Sequence, residues 1–508
     1  MYPAQNRHVF VLSAIFTVFF LPPMAWTQVK PPNRELSIAD VLQIARQNAV
    51  EPLAYQAEQK AYEADALAMN RVFDSKLTAM WQKSHDDGPL NQLTHGEERR
   101  QDRLETSYQV LLPSGTSVEV SASWMKQGLK FPFPIGSIDP INAPRYNPEH
   151  ETLVGVAVRQ SLWRNWMTKE IQQAREVMAG KAIEPQFQAL SQLQDVQGEA
   201  EHLYWQLVGI NEQVAVAEQL VKISKSFAKS MERRRNIGRS DDVDVADADS
   251  LVLAREADLL NLVVQQNQLQ ERLRIRLFGH DPLQRLRVPA RLPRNPPLAL
   301  SVQRAPQAME LAKKNRFDLR MLEKQRELSD KQVELAKEQA LPDIGLFVSY
   351  HRRGLADELN QSLEDLDGGS IASIGMDLNW TLGSTEKKEQ TRAAQLRKQS
   401  LDYHGQMLSR MVKQNLNAAF ERMDGAKRQR QLAETHIQVL RAKKAAEERK
   451  LRQARSDELA VQRYEIEVLS AEMQRIDAHL RLLLAIADIR TLTHAYPSEA
   501  AQAPKSRG

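Results

Sequence analysis

Apolar positions along this chain repeat with two different periods. Over 169–236 and 386–453 they recur every three to four residues with few breaks, which predicts two helices of roughly 68 residues, each on the order of 100 Å long. Pro185 and Gly198 predict a kink or short break in the first. Further helices are predicted at 38–71, 242–278, 302–340 and 457–494. Helices of this length find no globular core and must pack laterally as coiled coil.

Between the helices the period falls to two. In Ser117-Val118-Glu119-Val120-Ser121-Ala122-Ser123-Trp124 polar and apolar residues alternate throughout, and 104–111 pairs with it across the turn Pro113-Ser114-Gly115. Strands are also predicted at 76–82, 152–162, 343–350 and 373–382, the last alternating through Ile374, Met376, Leu378 and Trp380. Such lengths approach the ~9–11 residues of a tilted membrane strand, and 85–103, 126–150 and 353–370 read as long connecting loops. Alternation alone describes a soluble sheet with one wet face equally well.

The N-terminus shifts that balance. Asn6-Arg7-His8 precede an apolar run from Val9 to Leu21 that breaks at Pro22-Pro23, the pattern of a secretory signal peptide over 1–27, cleaved between Ala25 and Gln28. The run falls short of the ~20 residues a helical span needs, and no comparable run follows. An exported chain with four to six strands and no helical span points to a membrane barrel. Since about eight strands are the minimum for closure, copies must assemble. The chain has no cysteine, so neither disulfides nor a thiol-linked lipid anchor are available. Its 69 basic residues are interleaved with 65 acidic ones, a pattern of solvated helix faces and not a polyanion groove, so nucleic acid is excluded as a partner.

The chain also repeats itself. Ala39-Asp40-Val41-Leu42-Gln43-Ile44-Ala45-Arg46-Gln47-Asn48 returns as 305–315, with the same apolar spacing ending in a basic residue and Asn315. Gly238-Arg239-Ser240-Asp241-Asp242-Val243 returns as Ala454-Arg455-Ser456-Asp457-Glu458-Leu459. Each follows a basic helix end and caps a new helix, so each is a hairpin tip, 236–244 and 453–458. A Pro-rich linker at 281–299 separates repeat one, 36–280, from repeat two, 300–496. The tail 497–508 is expected to be disordered.

The paired helix starts at Leu42–Asn48 and Met309–Asn315 resemble the TolC family of outer membrane efflux proteins. So do the strand-to-helix corner Arg159-Gln160-Ser161-Leu162-Trp163-Arg164, its counterpart Leu378-Asn379-Trp380-Thr381-Leu382-Gly383, and the two tips. The resemblance implies an α+β membrane protein with a two-fold internal repeat: a homotrimer whose β-barrel sits in outer-membrane lipid and continues as a long α-helical coiled-coil tunnel through the periplasm. It implies passive exit for substrates of a tripartite efflux or type I secretion system. The implied partners are a periplasmic adaptor (membrane fusion) protein and an inner-membrane transporter of RND, ABC or MFS type. The family usually gives four strands per chain, whereas the hairpin at 104–125 would make six here. An Ala454 in place of Gly238 makes a left-handed turn less comfortable.

The first tip holds Asp241, Asp242, Asp244, Asp247 and Asp249. By the resemblance, Asp241, Asp244 and Asp247 are candidate constrictions at a periplasmic gate, with Arg239 and Arg455 as locks. Ordinary helix capping accounts for some of these carboxylates equally well. No catalytic, cofactor-binding or metal site is expected: the 11 histidines are scattered, His85 and His95 read as exposed loop residues, and no nucleophile or phosphate-binding motif occurs. The competing reading is a periplasmic coiled-coil adaptor. It is disfavoured because adaptors carry one hairpin and not a duplication with strands between helices.

Overall fold

The computed structural model describes residues 35–87, 98–131, 146–279, 286–295 and 304–496. The expected signal peptide, the tail 497–508, His95 and parts of the linker and loops lie outside these residues. The chain is predominantly helical. In order it forms α1 (Ile38–Gln47), α2 (Glu51–Ala68), β1 (Lys76–Asp86), β2 (Glu98–Leu111), β3 (Thr116–Lys130), β4 (Glu149–Ser161), α3 (Lys169–Lys181), α4 (Ile183–Asn236) and α5 (Asp242–Phe278). Then follow α6 (Ala305–Asn315), α7 (Phe317–Gln339), β5 (Asp343–Ala356), the short α8 (Leu359–Glu364), β6 (Gly369–Asn379), α9 (Thr385–Arg452) and α10 (Glu458–Leu492). Among the described residues no helix is long and apolar enough to cross a membrane.

The six strands form one antiparallel sheet in chain order, β1-β2-β3-β4-β5-β6. It is open: β1 and β6 each pair on one side only among the described residues.

The chain divides into two compact units. One comprises residues up to Ala49, Glu199–Pro297 and Ala433–Leu480; the other comprises Val50–Gly198, Leu298–Leu432 and the chain from Arg481 onward, and holds the whole sheet. In the first unit Ile437 and Leu440 of α9 pack with Val468 and Ala471 of α10. Phe227 and Ala228 of α4 meet Ala248 of α5. The linker residues 286–295 run without regular structure over α4, where Leu292 N–H donates to Glu212 Oε2 at 2.8 Å. In the second unit Ala308 and Ala312 of α6 face Val412, Leu416 and Phe420 of α9 and Leu482, Ile486 and Ile489 of α10.

Several elements depart from expectation. The first helix of each repeat is divided. Pro52 lies in the first turn of α2, where its missing N–H costs no helical bond. Arg316 turns extended between α6 and α7, and its guanidinium donates to the Leu492 carbonyl at 2.9 Å. The break near Pro185 falls at Ala182, which leaves Pro185 in the first turn of α4. Gly198 does not break α4; a Cβ there would stand 2.5 Å from Thr491 Oγ1, so it serves close packing. The expected loop at 353–370 instead carries the end of β5 and α8, and β6 stops at Asn379, leaving Trp380 and Leu382 beyond it.

Candidate functional site

Strand register sorts the sheet into two unlike faces, because residues directly opposite in an antiparallel pair point the same way. One row runs Leu77–Tyr108–Val120–Val156–Tyr350–Ala372 from β1 to β6. A second runs Val110–Val118–Val158–Val348–Ile374 from β2 onward. These apolar side chains are open to solvent in the single chain: Leu77 is 74% exposed, Ile374 75% and Met376 68%. A soluble sheet hides such a face, so its exposure marks a surface meant for lipid or another apolar partner.

The opposite face is mainly polar. Its rows include Thr78–Ser107–Ser121–Gly155–His351 and Gln109–Glu119–Ala157–Ser349–Ser373. Arg159 spans it, its guanidinium 2.6 Å from Asp377 and 3.2 Å from Asp343, tying β4, β5 and β6 together.

Tryptophans stand at both limits of the apolar face. Trp81 and Trp124 flank Leu104 in one row, and the next row is polar, Lys83–Asp102–Lys126–His150. At the other limit Trp163, Trp166 and Trp380 lie exposed at the strand-to-helix corners. Amphipathic indoles favour the two interfaces of a bilayer, and such belts flank a membrane barrel's apolar band. The corner after β4 is fixed by Arg164, whose guanidinium contacts Glu170 at 2.8 Å.

The two predicted tips come together in the first unit. In the tip between α4 and α5, Gly238 is left-handed (φ +71°) and the Arg239 N–H reaches back to the Arg234 carbonyl at 2.8 Å. In the tip between α9 and α10 the same turn forms around Ala454 (φ +53°), with the Arg455 N–H on the Lys450 carbonyl at 2.9 Å. Ala454 thus adopts the backbone its Cβ disfavours.

Asp241 caps α5 by accepting the Asp244 N–H at 2.8 Å, and Asp244 Oδ2 accepts the Ser240 hydroxyl at 2.8 Å and the Asp241 N–H. The Ser240 hydroxyl above all, helped by the Asp241 N–H, holds the Asp244 carboxyl below the usual range. Asp247 is exposed and has no side-chain partner among the described residues; the same holds for the side chains of Arg239 and Arg455. In the second tip Ser456 donates to Glu447 at 2.5 Å, and Asp457 accepts the Ala460 N–H at 2.9 Å.

The contact between the tips is made by a residue not singled out above. Arg234 Nη1 lies 2.7 Å from Asp457 Oδ2. The run Arg233-Arg234-Arg235 carried a signal, being three cations in the last turn of α4, but which one faces the second hairpin depends on packing. Among the described residues no group of acidic, histidine or cysteine side chains is placed to hold a metal ion.

No protein-family model matches the sequence, and no curated protein matches it. Solved structures do. The outer membrane protein VceC from Vibrio cholerae is 11% identical, with a TM-score of 0.60 over 90% of this chain and 95% of that one. The CmeC outer membrane channel of Campylobacter jejuni is 11% identical, with a TM-score of 0.61 over 98% and 96%. The open state of the Neisseria gonorrhoeae MtrE outer membrane channel is 14% identical, with a TM-score of 0.58 over 90% and 88%. At these identities the likeness is one of fold: the chain has the fold of outer-membrane channels, the one that the resemblance implied.

Proposed function

We propose that this protein is an outer-membrane exit channel of the TolC type, passive in itself and working for an export system whose energy comes from a partner. The observation that carries the reading is the apolar sheet face, exposed over all six strands and limited by tryptophans at both ends. Lipid would bury that face, leaving Ser107, Ser121 and Ser349 to line water.

Six strands do not close a barrel, and the edges of β1 and β6 are free to pair with further copies. A homotrimer follows the resemblance. Exposed apolar residues at coiled-coil spacing, Leu253, Leu260 and Val264 on α5 and Leu396, Tyr403 and Met407 on α9, give neighbouring copies a helical surface to pack on. The helices then form a periplasmic tunnel whose tips meet an adaptor protein and an inner-membrane transporter. Threefold repetition of Asp241, Asp244 and Asp247 would ring the entrance with carboxylates. Arg234 and Asp457 hold the two hairpins of one chain together there, with Arg239 and Arg455 available to bind across copies.

Fractionation of expressing cells tests the reading. The protein is expected in the outer membrane as an oligomer of three chains that dissociates only on heating in detergent. Recovery as a free periplasmic monomer would overturn it.

A further inference from the structure

The hairpin β2–β3 is what sets this sheet apart from a four-stranded stave, and its pairing is unambiguous. β2 pairs with β1 from Lys76↔Gln109 to Asp86↔Arg99, and β3 pairs with β4 from Thr116↔Gln160 to Gln127↔Glu149. The two strands therefore lie between β1 and β4. A hairpin folded above the wall would leave β1 and β4 to pair directly, which they do not.

The side chains agree. Leu104, Tyr108, Val120 and Trp124 continue the apolar rows of the flanking strands, and Leu104, Tyr108 and Val120 are as open as Val156 on β4. On the reverse, Ser107, Gln109, Ser117 and Ser121 continue the polar face. A hairpin wet on both sides has no use for that sorting, whereas a wall strand requires it.

We infer that β2–β3 is part of the lipid-exposed wall and sets the bore of the exit, so that three copies of six strands close as eighteen. The count rests on the trimeric reading above. Barrel diameter grows roughly in proportion to strand number, so this wall is about 1.5 times as wide as twelve strands would make it. The hairpin then widens the membrane wall of the exit relative to one of twelve strands. On that face Ser107, Ser117, Ser121 and Ser123 stand among Glu105, Gln109 and Glu119, so the surface the hairpin adds is polar.

Because the chain has no cysteine, single cysteines report cleanly. Val120→Cys and Ser121→Cys, adjacent on β3, are reconstituted as full-length protein in phosphatidylcholine vesicles and treated with a charged maleimide. Ser121→Cys is expected to react at least tenfold faster than Val120→Cys. Equal rates would overturn the placement of the hairpin in the wall while leaving the channel reading intact. In parallel, residues 87–148 are replaced by a four-residue Gly/Ser turn, which joins β1 to β4 without changing the direction of either strand. Electron microscopy of the nanodisc-embedded assemblies should show the parent wall about 1.5 times as wide as the variant's; equal diameters would overturn the inference. Should that variant fail to assemble, the cysteine pair decides alone. Glutaraldehyde cross-linking of the parent should end at three chains. A ladder ending at two would instead overturn the trimer and the count of eighteen with it.

Discussion

The Arg234 guanidinium, in the last turn of one hairpin, lies 2.7 Å from the Asp457 carboxylate that starts the return helix of the other. The two hairpin tips of a single chain are thereby tied by a pair in which Arg234 is 35% exposed and Asp457 54%. Pairs this open contribute about 0.2–1 kcal/mol, enough to bias a tip and too little to lock it permanently. Replacing Arg234 with Ala removes the pair without touching the cap that Asp457 gives to α10. On the proposed channel reading it should raise closed-state leak in planar bilayers, while leaving thermal stability within about 1 kcal/mol of the parent.

The pair also has a pH limit. The Ala460 N–H first, and then Arg234, hold the Asp457 carboxyl below its ordinary value. Its folded value is depressed, so its contribution is complete above the unfolded value near ~3.9 and is lost only as pH falls below that. Closed-state leak should therefore stay flat from pH 8 to pH 5 and rise only in stronger acid.

Asp244 and Asp247 divide the labour of the first tip. Asp244 completes a capping box with Asp241, whereas Asp247 is exposed and, among the described residues, without a side-chain partner. Asp247→Asn should alter ion selectivity in bilayer recordings without loss of stability, because only its charge is lost. Asp244→Ala should in addition destabilise the tip by about 1 kcal/mol, read as faster amide exchange over the first turn of α5.

Ala454 and Gly238 occupy equivalent left-handed positions, and a Cβ on Gly238 would meet nothing within 4 Å. The difference between them is backbone strain alone. Ala454→Gly should slow amide exchange at the second tip by stabilising it about 1 kcal/mol, and Gly238→Ala should do the reverse at the first.

His494 supplies a separate stability switch. Burial, reinforced by Arg316, pushes its pKa down to about 4, and its Nδ1 accepts the Phe317 N–H at 3.4 Å. The fold thus prefers neutral imidazole. The stabilisation is complete above the unfolded value near ~6.5 and is lost as pH falls from there toward about 4, amounting to at most about 3 kcal/mol. Urea midpoints should fall between pH 7 and pH 5, and less steeply in His494→Phe.

Long-period features were legible in the sequence because they are local. α5 spans the predicted residues, α9 lies one residue from its predicted limits, and each predicted strand overlaps an observed one. What escaped depends on distant partners. Arg316 interrupts a helical pattern to reach the Leu492 carbonyl. Arg352 and Arg353 look like loop residues until Arg353 is seen against Glu151 across the β4–β5 pair, at 2.5 Å. Arg234 has the same composition around it as its neighbours Arg233 and Arg235, and only the packing of two hairpins selects it. The two faces were visible within single strands such as β3, but their continuity over six strands needs the register.

That continuity is the centre of the account, and one comparison tests it most directly. Val156 and Ala157 are neighbours on β4; Val156 lies in an apolar row and Ala157 in a polar one. Arginine is introduced at each, and assembly into phosphatidylcholine vesicles is followed by heat-sensitive migration in detergent gels. Val156→Arg should lower membrane stability by about 2–4 kcal/mol while Ala157→Arg assembles like the parent. Equal effects at the two positions, or a larger defect at Ala157, would contradict a lipid-facing sheet.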